Sequence, residues 1–140
     1  MKHIPAHAPD DPISYQCHYL DAGTTDWDLW VSIGFHSPAY HDADALHIVC
    51  GFHDDEDEVA EGIHLERKDQ SQGGTGLAED VLLLADRIRV SLTDRGMAIL
   101  GFDCRTLEFL FPREPGNAGK VAEHFARMLA EANGAQIRIG

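Results

Sequence analysis

An alternation of apolar and polar residues runs through WDLWVSIGFH, residues 27–36 of the chain. Successive side chains of a strand point to opposite faces, so this stretch predicts a strand with one apolar face. That face is formed by Trp27, Leu29, Val31, Ile33 and Phe35. An apolar face has to be buried against a second layer, so the flanking sequence should supply more strands or a helix.

Further strands are predicted on both sides of this stretch, because the same alternation recurs over shorter windows. These windows are residues 13–20, 46–52, 62–68, 81–84, 88–93 and 107–111. Turn-forming residues fill 21–26. Residues 71–76, SQGGTG, show too little periodicity for an element and predict a flexible bend, whereas 94–101 predict one irregular helical turn.

The period changes near the C-terminus, where a helix is predicted from the N-cap Asn117 to the stop at Gly134. Its apolar stripe is formed by Val121, Phe125, Met128, Leu129 and Ala132. A helix this amphipathic buries its stripe most economically on one face of the sheet. The predicted class is therefore α+β, a mainly antiparallel sheet of about six or seven strands with a C-terminal helix packed on one face.

Length and composition indicate one domain. The chain has 140 residues, of which 44% are apolar, so it can bury a core without a second domain. We expect residues 1–140 to form a single domain in which 1–12 are a loose N-terminal arm. No apolar stretch approaches the length of a bilayer span and no secretory signal is evident, so we expect a cytoplasmic protein without a membrane partner.

Charge is unevenly divided along the chain. Residues 1–66 hold 14 Asp and Glu against one base, Lys2, a balance of −13, while residues 67–140 hold ten acids and ten bases. The whole net charge of −13 therefore belongs to the first part of the sequence. A contiguous face of this sign would attract cations or a basic partner and would repel nucleic acid.

The acidic run at residues 54–58 is the densest part of this charge. A calcium loop is disfavoured, because the sixth position counted from Asp54 is Val59 where an EF-hand needs glycine. A solvated loop and a partner-binding loop both remain. The residues predicted to bind a partner are Asp54, Asp55, Glu56, Asp57, Glu58, Glu61, Asp42, Asp44 and Trp30. Trp30 is included because Trp27 falls on the apolar face, which leaves Trp30 on the other face as an interface anchor.

Eight of the nine histidines share the acidic part of the chain, and imidazole with carboxylate is a common ligand set for metals. The spacing contains no HxH or HExxH, so His36, His41, His47 and His53 could form a site only if the fold assembled them.

Cys17, Cys50 and Cys104 lie in strand-like apolar patterns, which predicts buried hydrophobes rather than nucleophiles. We expect no enzyme activity and no cofactor.

The order of motifs from His47 onward resembles the immunity protein 10 family of bacterial polymorphic toxin systems. The matching parts are Gly51-Phe52 before an acidic stretch, residues 63–67 (IHLER), Gly73-Gly74, the strand pair 81–84 and 87–92, Gly96-Met97 with Leu100-Gly101, the strand 107–111 and the closing helix. The resemblance covers about the last two thirds of the chain and implies an α+β protein that binds and neutralises a cognate toxin. Its motifs are structural, so it implies no site residues.

Three functions follow from these patterns. The first is an immunity protein that neutralises a cognate, basic toxin domain through an acidic surface. The second is a metal-binding protein or small metal-dependent enzyme that uses His, Asp and Glu of the N-terminal half. The third is a homo-oligomeric accessory domain that pairs with itself through a sheet edge and an exposed Trp; the sequence leaves the oligomeric state open.

Overall fold

The computed structural model describes residues 12–37, 40–52, 62–111, 118–131 and 134–140, without the side chains of 40–43 and 69–71. Within these ranges, nine strands form one sheet and are accompanied by two helices. The elements in chain order are β1 (Ile13–Thr24), β2 (Asp28–Ser37), β3 (Tyr40–Gly51), β4 (His64–Arg67), β5 (Asp69–Thr75), β6 (Ala78–Leu83), β7 (Arg87–Leu92), α1 (Asp94–Leu100), β8 (Thr106–Leu110), α2 (Ala118–Ala130) and β9 (Ile137–Ile139).

The sheet has two halves that meet at β1. The strand order is β5-β4-β3-β2-β1-β8-β7-β6-β9, and neighbours are antiparallel except for the parallel pairs β1–β8 and β6–β9. Residues 13–16 of β1 pair with β8, whereas residues 17–24 pair only with β2 among the described strands. We call β1–β5 the first half and β6–β9 the second half.

The core lies where the inner faces of the two halves meet. The ring centre of Phe35 on β2 lies 4.8 Å from that of Phe109 on β8, and Tyr15 stacks on Phe109 at 5.7 Å. Helix α1 contacts β5 and β7, while α2 contacts β1, β2 and β9, so each helix touches both halves. Phe35 and Phe109 are fully buried, and truncating either to alanine should cost about 3–5 kcal/mol.

Helix α1 is short but well bounded. The Thr93 hydroxyl accepts a hydrogen bond from the backbone N–H of Gly96 at 3.0 Å, which satisfies one of the free donors of the first turn. Gly101 ends the helix in the left-handed conformation, with φ of 72°. Gly96 also packs against the backbone of Leu77, where a Cβ would collide with the carbonyl group. These three residues position the connection from α1 to β8.

The structure confirms a mixed α+β fold that is mostly sheet, and it differs from the sequence prediction in detail. The sheet has nine described strands rather than six or seven. β1 continues through residues 21–24, where a turn was predicted, and β5 occupies most of the predicted bend at 71–76. Helix α2 is not the last element, because β9 follows it and pairs with β6. The predicted N-terminal arm lies outside the described residues, apart from Pro12.

Candidate functional site

The structure describes the side chains of some of the residues predicted to bind a partner and not of others. The acidic run 54–58 and Glu61 lie outside the described residues, and so does the side chain of Asp42, whose backbone belongs to β3. The described part of the chain therefore places two of the predicted side chains, Asp44 and Trp30.

Asp44 does not lie on the surface. It is 0% exposed and forms a salt bridge with Arg67, whose Nη2 donates to Asp44 Oδ2 at 2.6 Å. Arg67 Nε donates to the same carboxylate at 3.1 Å, so the pair is bidentate. Since the carboxylate is enclosed and fully engaged, a partner cannot reach it, and we remove Asp44 from the predicted contact residues.

Arg67 links β4 of the first half to the end of helix α1. Its Nη1 donates to the carbonyl oxygens of Leu100 at 2.8 Å and Gly101 at 3.1 Å, at the end of α1. Its guanidinium lies 3.9 Å from the ring centre of Phe102. Arg67 is 2% exposed, and a buried charge is tolerated only with such a set of partners.

A sequence signal for this pair existed in the strand alternation. Asp44 has the same parity as the buried residues Leu46 and Ile48 of β3, and Arg67 has the same parity as Leu65 of β4. Side chains of equal parity share one face of a strand, so both charges point inward. Two opposite charges on inward positions of neighbouring strands are the pattern expected of a buried ion pair.

The two tryptophans exchange the roles predicted for them. Trp27 lies just before β2 and is 76% exposed, although its parity placed it on the apolar face. Trp30 is half-buried on the outer face of β2, where its indole covers Gly23 so closely that a Cβ on Gly23 would lie 2.6 Å from Trp30 Cε2. The exposed aromatic residue of this region is therefore Trp27.

The turn that carries Trp27 is held by its own hydrogen bonds. The Thr25 backbone N–H donates to the Asp28 carbonyl at 2.8 Å, and the Thr25 hydroxyl donates to Asp28 Oδ1 at 2.8 Å. The Trp27 backbone N–H donates to the Thr25 hydroxyl at 3.0 Å, and the Trp27 carbonyl accepts from Phe52 at 3.0 Å. The exposed indole is thus attached to a hydrogen-bonded turn, and Asp26 and Asp28 flank Trp27 in the sequence.

Among the described side chains of β1–β4, the outer face of the first half carries acids and histidines and no lysine or arginine. These side chains include Tyr19, Asp21, Asp28, Trp30, Ser32, His36, His47, Val49, His64 and Glu66. One base reaches it from elsewhere, since Lys120 of α2 contacts Asp21 at 3.0 Å. The Ala22 backbone N–H and then Lys120 lower the pKa of Asp21, which keeps this carboxylate ionised.

Two histidines of this outer face have neutral or acidic neighbours. His47 Nδ1 lies 2.7 Å from the Ser32 hydroxyl on the next strand, and His64 Nε2 lies 2.9 Å from Glu66 Oε1. Glu66 is directly opposite His47 in the β3–β4 register. The Ser32–His47 contact joins neighbouring strands, whereas His64 and Glu66 are two residues apart on β4. Side-chain contacts of both kinds are common on sheet surfaces.

The outer face of the second half has a different balance. Glu108 on β8 accepts hydrogen bonds from Arg87 at 3.3 Å and Arg89 at 3.0 Å, both on β7. Arg138 on β9 pairs with Asp80 on β6 at 2.9 Å. Arg87 also contacts Asp86 at 3.0 Å and lowers its pKa. Acids and bases on this half therefore neutralise one another.

The three cysteines are free and buried, as predicted from their strand-like patterns. Burial raises the pKa of the Cys50 thiol to about 11, with a further contribution from the charges of Glu131 and Asp28. Burial also raises the pKa of Cys17. A thiol in such surroundings is protonated at neutral pH, so neither of these two is poised as a nucleophile.

Nowhere in the described parts of the chain do three or more His, Cys, Asp or Glu side chains lie close enough together to hold a metal ion.

The two described helices are both too short to cross a membrane. Comparisons of the chain with protein-family models, with curated proteins and with solved structures find no match.

Proposed function

We propose that this protein is an immunity protein that acts in the cytoplasm by binding and neutralising a cognate bacterial toxin domain of basic character. The observation that carries the proposal is the contrast between the two outer faces. On the second half, the acid Glu108 is paired with two arginines. On the first half, the described outer-face side chains are rich in acids and histidines, and among them Asp21 is paired with a lysine, Lys120 of α2. The motif order that resembles immunity protein 10 supports the same function.

Charge complementarity explains why a basic partner suits this face. Residues 1–66 contribute the whole net charge of −13, and β1–β4 hold the described part of that region together in one half of the sheet. A surface of one sign steers an oppositely charged protein into productive encounters and speeds association at low salt. If the toxin is a nuclease, the same charge competes for the site that binds substrate phosphates.

Trp27 is the anchor that we expect at the centre of contact. An indole offers a large contact area at small entropic cost, and exposed Trp residues are enriched among the residues that dominate binding energy. The hydrogen-bonded turn holds Trp27 in place before binding, so little conformational freedom is lost on association. Asp26 and Asp28 flank it and can pair with Lys or Arg of the partner, while the indole face can accept a cation.

Co-purification from the native cell at low salt tests the proposal, followed by stopped-flow measurement of association with the captured domain. We expect a basic toxin domain, with an association rate that falls at least about tenfold between low and high salt. The variant Asp26→Asn/Asp28→Asn/Glu66→Gln should associate more slowly than the wild type. A second variant in which residues 54–58 are neutralised to Asn and Gln tests the predicted acidic run.

The matched control is Glu79→Gln/Asp86→Asn/Asp103→Asn, which removes the same number of charges from exposed positions in the chain after residue 66. It should leave the association rate within about twofold of the wild type. An association rate that does not respond to ionic strength, or equal slowing by both triple variants, contradicts the proposal. Self-association seen by light scattering, with no captured partner, favours the homo-oligomeric function instead.

A further inference from the structure

Two histidines on neighbouring strands lie in direct contact at the surface. His18 of β1 and His36 of β2 are both exposed, and their ring centres are 4.6 Å apart with 48° between the planes. The pair lies near the end of β2, away from the His47–Ser32 and His64–Glu66 contacts. No sequence motif links the two residues, which are 18 positions apart.

A β-bulge brings the two rings together. The β1–β2 register shifts between Cys17, which pairs with Phe35, and Tyr19, which pairs with Gly34, so His18 is the extra residue. The Cys17 thiol donates to the Tyr19 carbonyl at 3.1 Å across this bulge. Gly34 leaves the necessary room, since a Cβ there would lie 2.9 Å from Tyr19 Cβ and 3.1 Å from His18 Cε1.

The ring nitrogens of His18 and His36 form no hydrogen bond among the described residues, whereas every other described histidine uses at least one ring nitrogen in a contact. His47 and His64 each use one ring nitrogen for a side-chain contact, and both ring nitrogens of His124 are engaged, with Thr24 at 3.2 Å and the Lys120 carbonyl at 2.7 Å. No partner within the described residues contacts a ring nitrogen of His18 or His36. Neutral imidazole nitrogen is a strong ligand for zinc, copper and nickel.

The ring separation matches joint coordination of one ion. With metal–nitrogen bonds of about 2.1 Å, two imidazoles that meet at a right angle on one ion place their ring centres about 4.5 Å apart, and at a tetrahedral angle about 5.2 Å apart. The observed 4.6 Å falls within this interval. We propose that His18 and His36 form a two-histidine site for a divalent metal ion of the zinc type.

The remaining coordination positions would be open. Both side chains are exposed, and His36 also lines a cleft of about 350 Å³ together with Tyr15, Ser37 and Asp103. An ion held by His36 is therefore accessible to water and to small ligands in this cleft, as in zinc sites that keep a free position. The site would tie the bulged part of β1 to β2 at the opposite end of β2 from Trp27, and it does not require a bound toxin.

Titration of tag-free, chelator-washed protein with Zn²⁺ tests the site, with calorimetry for stoichiometry and imidazole NMR for the ligands. We expect His18 and His36 resonances to shift together up to one equivalent of Zn²⁺, before those of other histidines. His18→Gln and His36→Gln should each weaken this event at least about tenfold. His64→Gln, the matched control on the same outer face, should leave it within about twofold.

Three results would overturn the site. One is the absence of a saturable Zn²⁺ event, and a second is a first equivalent whose NMR shifts fall on other histidines. The third is an affinity that neither His18→Gln nor His36→Gln changes, which would make the ring contact a stacking interaction alone. The wild-type NMR titration gives a decision even if a variant fails to fold.

Discussion

Glu66 and Glu108 lie at similar positions on the outer face of the same sheet but have different neighbours. Glu108, on the second half, is 6% exposed and lies between Arg87 and Arg89. Glu66, on the first half, contacts the imidazole of His64 at 2.9 Å. Glu108 and Asp80 of the second half are thus paired with arginines, whereas Glu66 has no lysine or arginine partner among the described residues.

The separation persists in three dimensions because of the strand order. β1–β5 are neighbours in the sheet and so are β6–β9, which places the strands formed by the acidic part of the sequence, β1–β4, side by side. Within the first half, Asp44 of the acidic part of the sequence meets Arg67, the first base after it, in a buried salt bridge.

The buried pair of Asp44 and Arg67 should be the most sensitive point. Arg67→Met removes the cation and leaves Asp44 buried without its partner, so we expect the free energy of unfolding to fall by about 3–5 kcal/mol in urea denaturation. Arg127→Met, on the exposed side of α2, is the control and should cost less than about 1 kcal/mol. The double variant Asp44→Leu/Arg67→Met should recover part of the loss. A loss below about 1 kcal/mol for Arg67→Met would show that the buried pair does not stabilise the fold.

Alkaline pH should destabilise the protein through a thiol of the first half. The pKa of Cys50 is raised to about 11 in the folded protein, whereas an unfolded thiol has a pKa of about 8.5. The unfolded state therefore loses this proton first, so the stabilisation is complete below about pH 8.5 and is lost as pH rises towards 11. We expect a loss of about 3 kcal/mol from this group.

Urea midpoints measured across this interval provide the check. Cys50→Ala should show a shallower decline with pH than the wild type, because it lacks the titrating group. An identical decline in both proteins would remove Cys50 as the cause.

The two glutamates should differ in their importance for folding. Glu108→Gln leaves Arg87 and Arg89 adjacent without their shared carboxylate, and we expect it to lower the free energy of unfolding by about 1–2 kcal/mol. Glu66→Gln removes one contact with a partly exposed histidine and should cost less than about 1 kcal/mol. Thermal or urea unfolding of the two variants side by side measures the difference. Equal losses would mean that the two outer faces are not electrostatically distinct.

The two tryptophans provide the finest test. Trp27→Ala removes an exposed side chain and should change the free energy of unfolding by less than about 0.5 kcal/mol. Trp30→Ala uncovers Gly23 and should cost about 1 kcal/mol. Denaturation curves measure both values, and association with the captured toxin domain should be weakened more by Trp27→Ala. A larger stability loss for Trp27→Ala than for Trp30→Ala would reverse the assignment.

Local periodicity was a good guide to the central strands. The alternation in 27–36 predicted the buried positions Leu29, Val31, Ile33 and Phe35, all of which are fully buried. It failed at Trp27, because the strand begins at Asp28 and the preceding turn aims the indole outward. An apolar side chain at the end of an alternating stretch is thus the least certain member of the predicted face.

Edge strands were harder to predict because their stability comes from pairing. β5 is rich in Ser, Gln and Gly, and it forms a strand because its backbone pairs with β4. β9 has three residues and depends on parallel pairing with β6, more than 50 positions earlier in the chain. Backbone hydrogen-bonding groups occur at every residue, so composition carries little information about such pairings.

The amino-acid sequence was sufficient for the properties that are local or additive: the segregation of charge, the mixed α+β class and the buried nature of the cysteines. Tertiary structure decided which residues meet: that Asp44 is neutralised by Arg67, that Trp27 rather than Trp30 is exposed, and that His18 lies against His36. The physical reason is that net charge and periodicity are sums over neighbours in the chain. Contacts between distant residues depend instead on strand order, register and a single bulge, which emerge only when the whole sheet is assembled.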